Sequence, residues 1–96
     1  MSTTYGIEAM RVFRVADDSM APAIPAGAIV GIDPALEHHA GDFVLVDIGG
    51  REAVRQLDHD GEGGLCLTPL NERYPAVPLG EARIVGVVRE MRVTFR

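Results

Sequence analysis

Short apolar runs separated by glycine and proline are the feature that most constrains how this chain folds. Eleven glycines and six prolines place turn signals every ~8–12 residues, a spacing typical of all-β proteins. Hydrophobic residues make up 47 % of the chain but aromatic residues only 5 %, so valine, isoleucine, leucine and alanine must build the core. β-Branched side chains favour strands. The sequence therefore predicts an all-β fold with a curled or barrel-like sheet.

Several stretches have the composition of strands, and the segments between them have the composition of turns. Gly49-Gly50 is a two-residue hairpin signal, and the apolar run before it indicates a central strand. Prolines confine residues 69–80 to irregular, partly extended backbone. Gly86 marks a bend or bulge in the last strand. The predicted strands are 11–15, 28–32, 42–48, 51–57, 65–68 and 82–95.

Length and charge limit the possible functions. The 96 residues suit one small domain, and we expect 1–9 to be a tail or linker and 10–96 to form that domain. A net charge of −5 argues against a phosphate-binding surface, so DNA contact requires another domain. The lone Cys66 suits a reducing compartment. Without an apolar leader or a window of ~18 apolar residues, we expect a cytoplasmic protein that contacts no membrane.

The turn after the first predicted strand contains Ser19, the one serine beyond the N-terminal tail. Pro22 and Pro25 exclude a long helix there, so a short helical turn is expected. Two interpretations of this turn remain open. Either Asp18 or Ser19 caps it through a side-chain oxygen, or the junction between strand and turn exposes the Ser19 hydroxyl as a nucleophile.

The histidines and the glycine-rich loop do not predict a metal or cofactor site. His38 and His39 lie near Asp42, and His59 lies between two aspartates, but neither group has the spacing of a zinc site. The glycines of residues 61–64 do not form a phosphate loop, because no helix follows them. We therefore predict no metal and no cofactor.

Several segments are informative as an ordered set. They are Val15-Ala16-Asp17-Asp18-Ser19-Met20-Ala21-Pro22, Ile29-Val30-Gly31-Ile32-Asp33-Pro34, Gly41-Asp42-Phe43-Val44-Leu45-Val46, Glu52-Ala53-Val54-Arg55-Gln56-Leu57, 67–75 and 84–88. Together they resemble the LexA and phage-repressor family of self-cleaving serine peptidases, of the S24 type, over nearly all of residues 11–90. The resemblance implies a strongly curved, mostly antiparallel β assembly like that of LexA and signal peptidase, in which members dimerise through this domain.

The resemblance also assigns roles to individual residues. Ser19 stands at the position of the nucleophile, and Arg55 stands at the position of the catalytic lysine. The residues that shape the site around them are Asp17, Asp18, Met20 and Pro22. A lysine can act as the general base for a serine, whereas a guanidinium is not deprotonated in proteins. Asp17 is a second departure, because the family usually has glycine there.

A cleavage site of the family type is also missing, since only Tyr5-Gly6 precedes Ser19 and Tyr5 is a poor match. We therefore predict the dimerisation and regulatory C-terminal domain of a LexA-like or prophage transcriptional repressor, with a degenerate Ser-Lys peptidase site. The resemblance places such repressors in transcription regulation of the SOS-response kind. DNA would be contacted only through a separate N-terminal domain that is not in this chain. The alternative is an active self-cleaving serine peptidase of the S24 type.

Two contacts are predicted in addition. The first is a homodimer whose interface includes residues Val88 to Phe95, because an exposed apolar strand edge tends to find a partner. The second is a direct ion pair between Asp17 and Arg55. In an extended segment the side chains at 17 and 19 share a face, and a partly desolvated guanidinium requires a partner. The rival interpretation is that both side chains are solvated and unrelated.

Overall fold

Seven strands form one sheet in the computed structural model, which describes residues 11–94. They are β1 (Arg11–Arg14), β2 (Ile29–Asp33), β3 (Phe43–Ile48), β4 (Arg51–His59), β5 (Leu65–Thr68), β6 (Val77–Pro78) and β7 (Arg83–Arg92). Their order across one sheet is β1-β2-β7-β3-β4-β5-β6, and each neighbouring pair is antiparallel. The predicted all-β, antiparallel fold is confirmed. The predicted tail at 1–9 lies outside the described residues.

The hairpin between β3 and β4 forms at the predicted glycine pair. Gly49 and Gly50 have φ values of 61° and 92°, a region that glycine adopts without the strain of a side chain. The turn fixes the register from Ile48 opposite Arg51 to Phe43 opposite Gln56. This register places Arg55 opposite Val44, and it therefore determines which side chains surround the guanidinium.

Backbone pairing extends further than the composition indicated in two places, whereas the last strand, predicted for 82–95, ends at Arg92. Residues 58 and 59 belong to β4 rather than to the following turn, because they pair with the first residues of β5. Strand β6 lies in the segment predicted to be irregular, where it pairs with β5 at the edge of the sheet. A proline is tolerated on an edge strand because one side needs no ladder hydrogen bond.

Helical structure is sparse in residues 11–94. The one helix described is a 3-10 helix at Leu79–Glu81, and no described helix is long and apolar enough to cross a membrane. The helical turn expected at Ser19 is present as a hydrogen-bonded turn. Ala21 N donates to Asp18 O at 3.1 Å and Ile24 N donates to Met20 O at 2.9 Å.

Strand β7 lies inside the sheet and joins its two halves. Its first half pairs with β3 and its second half with β2. A register shift lies beside Gly86, in agreement with the predicted bend or bulge. A Cβ atom on Gly86 would lie 2.7 Å from Ile32 Cγ2 and 2.9 Å from Asp33 O, so the close approach of β2 requires glycine here.

The hydrophobic core consists of two clusters, and the central strand β3 contributes to both. Leu45 packs in the first cluster, whereas Val44 and Val46 pack in the second. This two-sided burial confirms that the apolar run of residues 42–48 is a central strand. The first cluster contains Val15, Met20, Ile24, Ala28, Val30, Ile32, Leu45 and Val54. It therefore anchors the Ser19 turn directly to the core.

Candidate functional site

The Ser19 turn is held at its base and in its middle. Val15 N donates to Ala28 O at 2.9 Å and Gly27 N donates to Val15 O at 2.8 Å, which closes the loop between β1 and β2. Met20, next to the serine, is fully buried in the first core cluster. The flexible thioether side chain fills irregular space in a core. Burial of Met20 therefore fixes the position of the neighbouring Ser19 backbone.

Asp17 organises the turn from within. Ser19 N donates to Asp17 Oδ1 at 3.0 Å, and Ser19 Oγ donates to the same atom at 2.6 Å. The carboxylate that accepts from the turn backbone is therefore Asp17, so neither Asp18 nor Ser19 caps the turn. The other interpretation, an exposed Ser19 hydroxyl, was also wrong, because Ser19 is 1 % exposed. Burial raises the pKa of Asp17. The two hydrogen bonds from Ser19 and the charges of Arg55 and Arg51 lower it by more, so the pKa lies below its ordinary value.

Arg55 reaches Ser19 from the neighbouring strand β4. Its Nη1 atom donates to Ser19 Oγ at 2.8 Å and to Val54 O at 2.8 Å. Arg55 is 8 % exposed, and its buried Nε atom has no hydrogen-bond partner among residues 11–94. The Ser19 hydroxyl thus accepts from Arg55 and donates to Asp17. Two residues of opposite charge are joined through one hydroxyl group.

The predicted direct ion pair between Asp17 and Arg55 was wrong. The charged atoms of these two residues do not form a contact within 4.0 Å. The Ser19 hydroxyl occupies the space between them and bonds to both. The rival interpretation, that the two side chains are unrelated, does not describe the site either, because Arg55 still helps to lower the pKa of Asp17.

The segment between β5 and β6 closes the site from the other side. Asn71 N donates to Ser19 O at 2.9 Å, and Asn71 Nδ2 donates to Asp18 O at 3.2 Å. Tyr74 OH donates to Asp18 Oδ1 at 2.7 Å, a hydrogen bond that raises the pKa of Tyr74. The Arg55 guanidinium carbon lies 5.9 Å from the centroid of the Tyr74 ring, within cation–π range.

Sequence reasoning missed the roles of Asn71 and Tyr74. It treated the segment as irregular backbone, although both residues lie in the 67–75 stretch that carries part of the family resemblance. Two side chains with hydrogen-bonding groups between prolines were the available signal. The contact partner, Asp18, lies more than 50 residues earlier in the chain, with a separation of 56 for Tyr74.

The remaining candidate residues have distinct surroundings. Pro22 is exposed and follows a cis peptide bond, and Asp18 is exposed apart from its contacts with Asn71 and Tyr74. All three histidines are exposed, and none hydrogen-bonds to Ser19 within the described part of the chain. No group of three or more His, Cys, Asp or Glu side chains in residues 11–94 is arranged to hold a metal ion.

Acid-base chemistry at this site is restricted by the two partners of Ser19. The guanidinium of Arg55 can donate hydrogen bonds but cannot receive the hydroxyl proton. Asp17 can receive a proton, but its lowered pKa makes it a weak base. The geometry therefore stabilises the turn and holds a neutral hydroxyl between two charges.

Comparison with known proteins gives a consistent family. The chain is 39 % identical over 90 residues to an HTH-type transcriptional regulator for conjugative element R391 from Providencia rettgeri, a match that covers 85 % of this chain and 41 % of the regulator. The HTH-type transcriptional regulator for conjugative element SXT from Vibrio cholerae matches with the same identity and coverage. Repressor protein C2 of Salmonella phage P22 is 36 % identical over 86 residues, covering 82 % of this chain and 39 % of that repressor.

The chain thus spans about two-fifths of the length of these relatives (41 % and 39 %). A family model described as peptidase S24-like matches residues 3–89. That match includes β1 to β6, most of β7 and every residue of the site described above. The chain therefore belongs to the peptidase S24-like family.

Proposed function

We propose that this chain is the dimerisation and regulatory C-terminal domain of a transcriptional repressor, with a peptidase site that does not cleave. The observation that carries the proposal is the contact of Arg55 Nη1 with Ser19 Oγ at 2.8 Å. Arg55 stands where a Ser-Lys peptidase of this family needs a deprotonated amine. The named functions of the relatives, a repressor and regulators of conjugative elements, support the regulatory part.

A working centre needs a group that removes the proton from the serine hydroxyl. The chain contains no lysine, and Arg55 keeps its protons. Asp17 is the remaining acceptor at the hydroxyl, and the lowering of its pKa opposes proton transfer to it. The site therefore supports a structural role for Ser19 in tying the turn to β4.

The second half of β7 is the surface that best fits a second copy of the chain. Residues 88–92 pair with β2 along one edge, and no other described strand pairs with them. Val12, Met91 and Val93 nearby are 67 %, 46 % and 36 % exposed. An unpaired strand edge with exposed apolar side chains favours association. Phe95, also predicted at this interface, lies outside the described residues.

Charge complementarity gives this interface a specific register. In a two-fold antiparallel pairing centred on Met91, Glu90 of one copy lies opposite Arg92 of the other, and the reverse. Opposite charges in directly facing positions stabilise antiparallel strands, and a two-fold interface repeats each such contact. The sequence of this edge is therefore complementary to itself.

In the proposed role the domain joins two DNA-binding heads without touching DNA. Linking two heads raises the effective concentration of the second at its half-site. The net charge of −5 suits that division of labour. DNA contact would come from an N-terminal domain outside this chain, a proposal supported by the HTH-type description of the relatives.

Reaction with a serine-directed fluorophosphonate tests the loss of catalysis. We expect no label on the wild-type chain, measured by intact mass, even at about pH 9–10 where a lysine base would lose its proton. Ser19→Ala is the matched control for reaction elsewhere. Label that appears at high pH and disappears in Ser19→Ala would overturn the proposal.

Light scattering at micromolar concentration tests the dimer. We expect twice the monomer mass for the wild type, and the monomer mass for Met91→Asp, which places like charges at the centre of the interface. Leu36→Asp is the matched control, because Leu36 is similarly exposed at 41 % but lies outside this edge. A wild-type monomer would refute the interface.

The alternative function, an active self-cleaving peptidase, has one observation in its favour. Asp17 Oδ1 lies 2.6 Å from Ser19 Oγ and accepts its proton in a hydrogen bond, as a general base would before transfer. Self-cleavage of the longer protein that is lost in both Ser19→Ala and Asp17→Asn would support it. Cleavage that persists in Ser19→Ala would exclude it.

A further inference from the structure

The Ser19 hydroxyl has a single proton, and the site directs that proton to Asp17. Ser19 Oγ donates to Asp17 Oδ1 at 2.6 Å and accepts from Arg55 Nη1 at 2.8 Å. Ser19 is 1 % exposed, so these contacts rather than water set the orientation of the hydroxyl. A base at position 55 would need the proton on the opposite side of the oxygen, pointing toward β4.

Asp17 would also raise the pKa of any amine that replaced the guanidinium. A nearby carboxylate favours the charged ammonium form, and an ammonium cannot accept a proton. Three other charged or titratable groups lie near this pair of residues. The charge of Arg51 on β4 acts on Asp17, the Tyr74 ring lies 5.9 Å from the Arg55 guanidinium carbon, and Asp18 accepts a hydrogen bond from Tyr74 OH. Of the two carboxylates on the turn, Asp17 is the one that contacts the hydroxyl.

We propose that Asp17 is a positioning residue that directs the Ser19 hydroxyl away from position 55, so that a lysine there restores reactivity near neutral pH only when Asp17 is also replaced. The inference rests on the proposed function, because it explains why the site does not cleave. Two residues rather than one then separate this site from a Ser-Lys centre. Asp17 carries out this role through hydrogen bonding to Ser19, without touching a substrate.

The test compares the wild type, Arg55→Lys, Asp17→Gly and the double variant. Each is treated with the fluorophosphonate between about pH 7 and 10, and labelling is followed by intact mass. We expect no label on the wild type or on Asp17→Gly, label on Arg55→Lys only toward the upper end of this pH range, and label on the double variant at a rate that rises through one pKa below the ordinary lysine value of about 10.4. At about pH 8 the double variant should react at least ~10-fold faster than Arg55→Lys, since one pKa unit changes the free-amine fraction about tenfold. Ser19→Ala in the double background should abolish the label.

The outcomes separate this inference from the proposed function. Equal labelling of Arg55→Lys and the double variant overturns the role of Asp17 and leaves the wild-type site inactive, as proposed. Labelling of the wild type overturns the proposed function, and the inference with it. A double variant that is folded by circular dichroism but does not react overturns the inference alone.

A second variant replaces Asp17→Gly in this test if glycine at position 17 prevents folding. Asp17→Asn keeps the shape of the side chain and removes its charge, so Asp17→Asn with Arg55→Lys should react with a pH midpoint below that of Arg55→Lys. A purely structural role for Asp17 would not shift this midpoint. Coinciding pH profiles, or no label on the folded protein, would overturn the inference.

Discussion

Replacing Ser19 with alanine removes the atom that joins the Asp17 carboxylate to the Arg55 guanidinium. Arg55 is 8 % exposed. In the part of the chain that the structure describes, its Nε already lacks a hydrogen-bond partner, and Nη1 would keep only the Val54 carbonyl. A hydrogen bond to a charged group contributes about 1.5–3 kcal/mol. The bond to the more exposed Asp17 counts for less because solvent screens it. We expect Ser19→Ala to lower the free energy of unfolding by about 2 kcal/mol.

Thermal unfolding followed by circular dichroism measures this loss. For a domain of this size, about 2 kcal/mol corresponds to a fall in Tm of roughly 8–16 °C. All samples need one protein concentration, because dimerisation shifts Tm. Glu62→Ala is the control, since it removes an exposed polar side chain away from both the Ser19 site and the proposed dimer edge and should change stability by less than ~0.5 kcal/mol.

A double-mutant cycle with Arg55→Met isolates the contact itself. Methionine retains much of the buried stem but has no guanidinium, so the Ser19 hydroxyl loses its donor in that variant. We expect a coupling energy of about 1–2 kcal/mol between the two sites. An additive cycle, or a Ser19→Ala protein within ~0.5 kcal/mol of the wild type, would refute the hydrogen-bonded chain.

Three further substitutions test other parts of the site and fold. Burial raises the pKa of Asp17, but the Ser19 hydrogen bonds lower it overall. The ionised Asp17 therefore stabilises the fold fully above its unfolded pKa of about 3.9, and this stabilisation is lost as pH falls through its folded pKa. Asp17→Asn should flatten the decline of Tm below about pH 4, and an unchanged decline would contradict this. Tyr74→Phe removes the hydroxyl contact but keeps the ring beside the guanidinium, so its Tm should lie between those of the wild type and Tyr74→Ala. Gly86→Ala would place a methyl group 2.7 Å from a side-chain carbon and 2.9 Å from a backbone oxygen, and should cost about 1–3 kcal/mol in urea unfolding. The control Gly80→Ala meets nothing within 4 Å, and equal losses for the two glycine variants would contradict the clash.

The local features of the fold were predictable because they depend on neighbours in the chain. The glycine pair at 49 and 50 specified the β3–β4 hairpin and, through it, the register. The apolar run of residues 42–48 indicated a strand buried on both faces, as β3 is. Strand β6 escaped prediction, because a two-residue edge strand containing proline has no periodic signal of its own.

Some residue types at the site were likewise predictable from the sequence, but the contacts between them were not. The residue types at 17, 19 and 55 already excluded a lysine base and brought opposite charges to one region. The period of a strand indicates which side chains share a face, but it does not say which group lies between two others. Only the folded chain showed the Ser19 hydroxyl between Asp17 and Arg55, where a direct pair had been predicted.

What the sequence alone determined about this protein is therefore its all-β class, its main turns and the residue types at positions 17, 19 and 55. The tertiary structure decided which distant residues meet there. Arg55 is separated from Ser19 by 36 residues, and Tyr74 from Asp18 by 56. It also decided that β7 lies between β2 and β3, so that its residues 88–92 pair on one edge only among the described strands. Turns and strands follow from local backbone preferences, whereas these contacts depend on strand order, register and side-chain reach across the whole sheet.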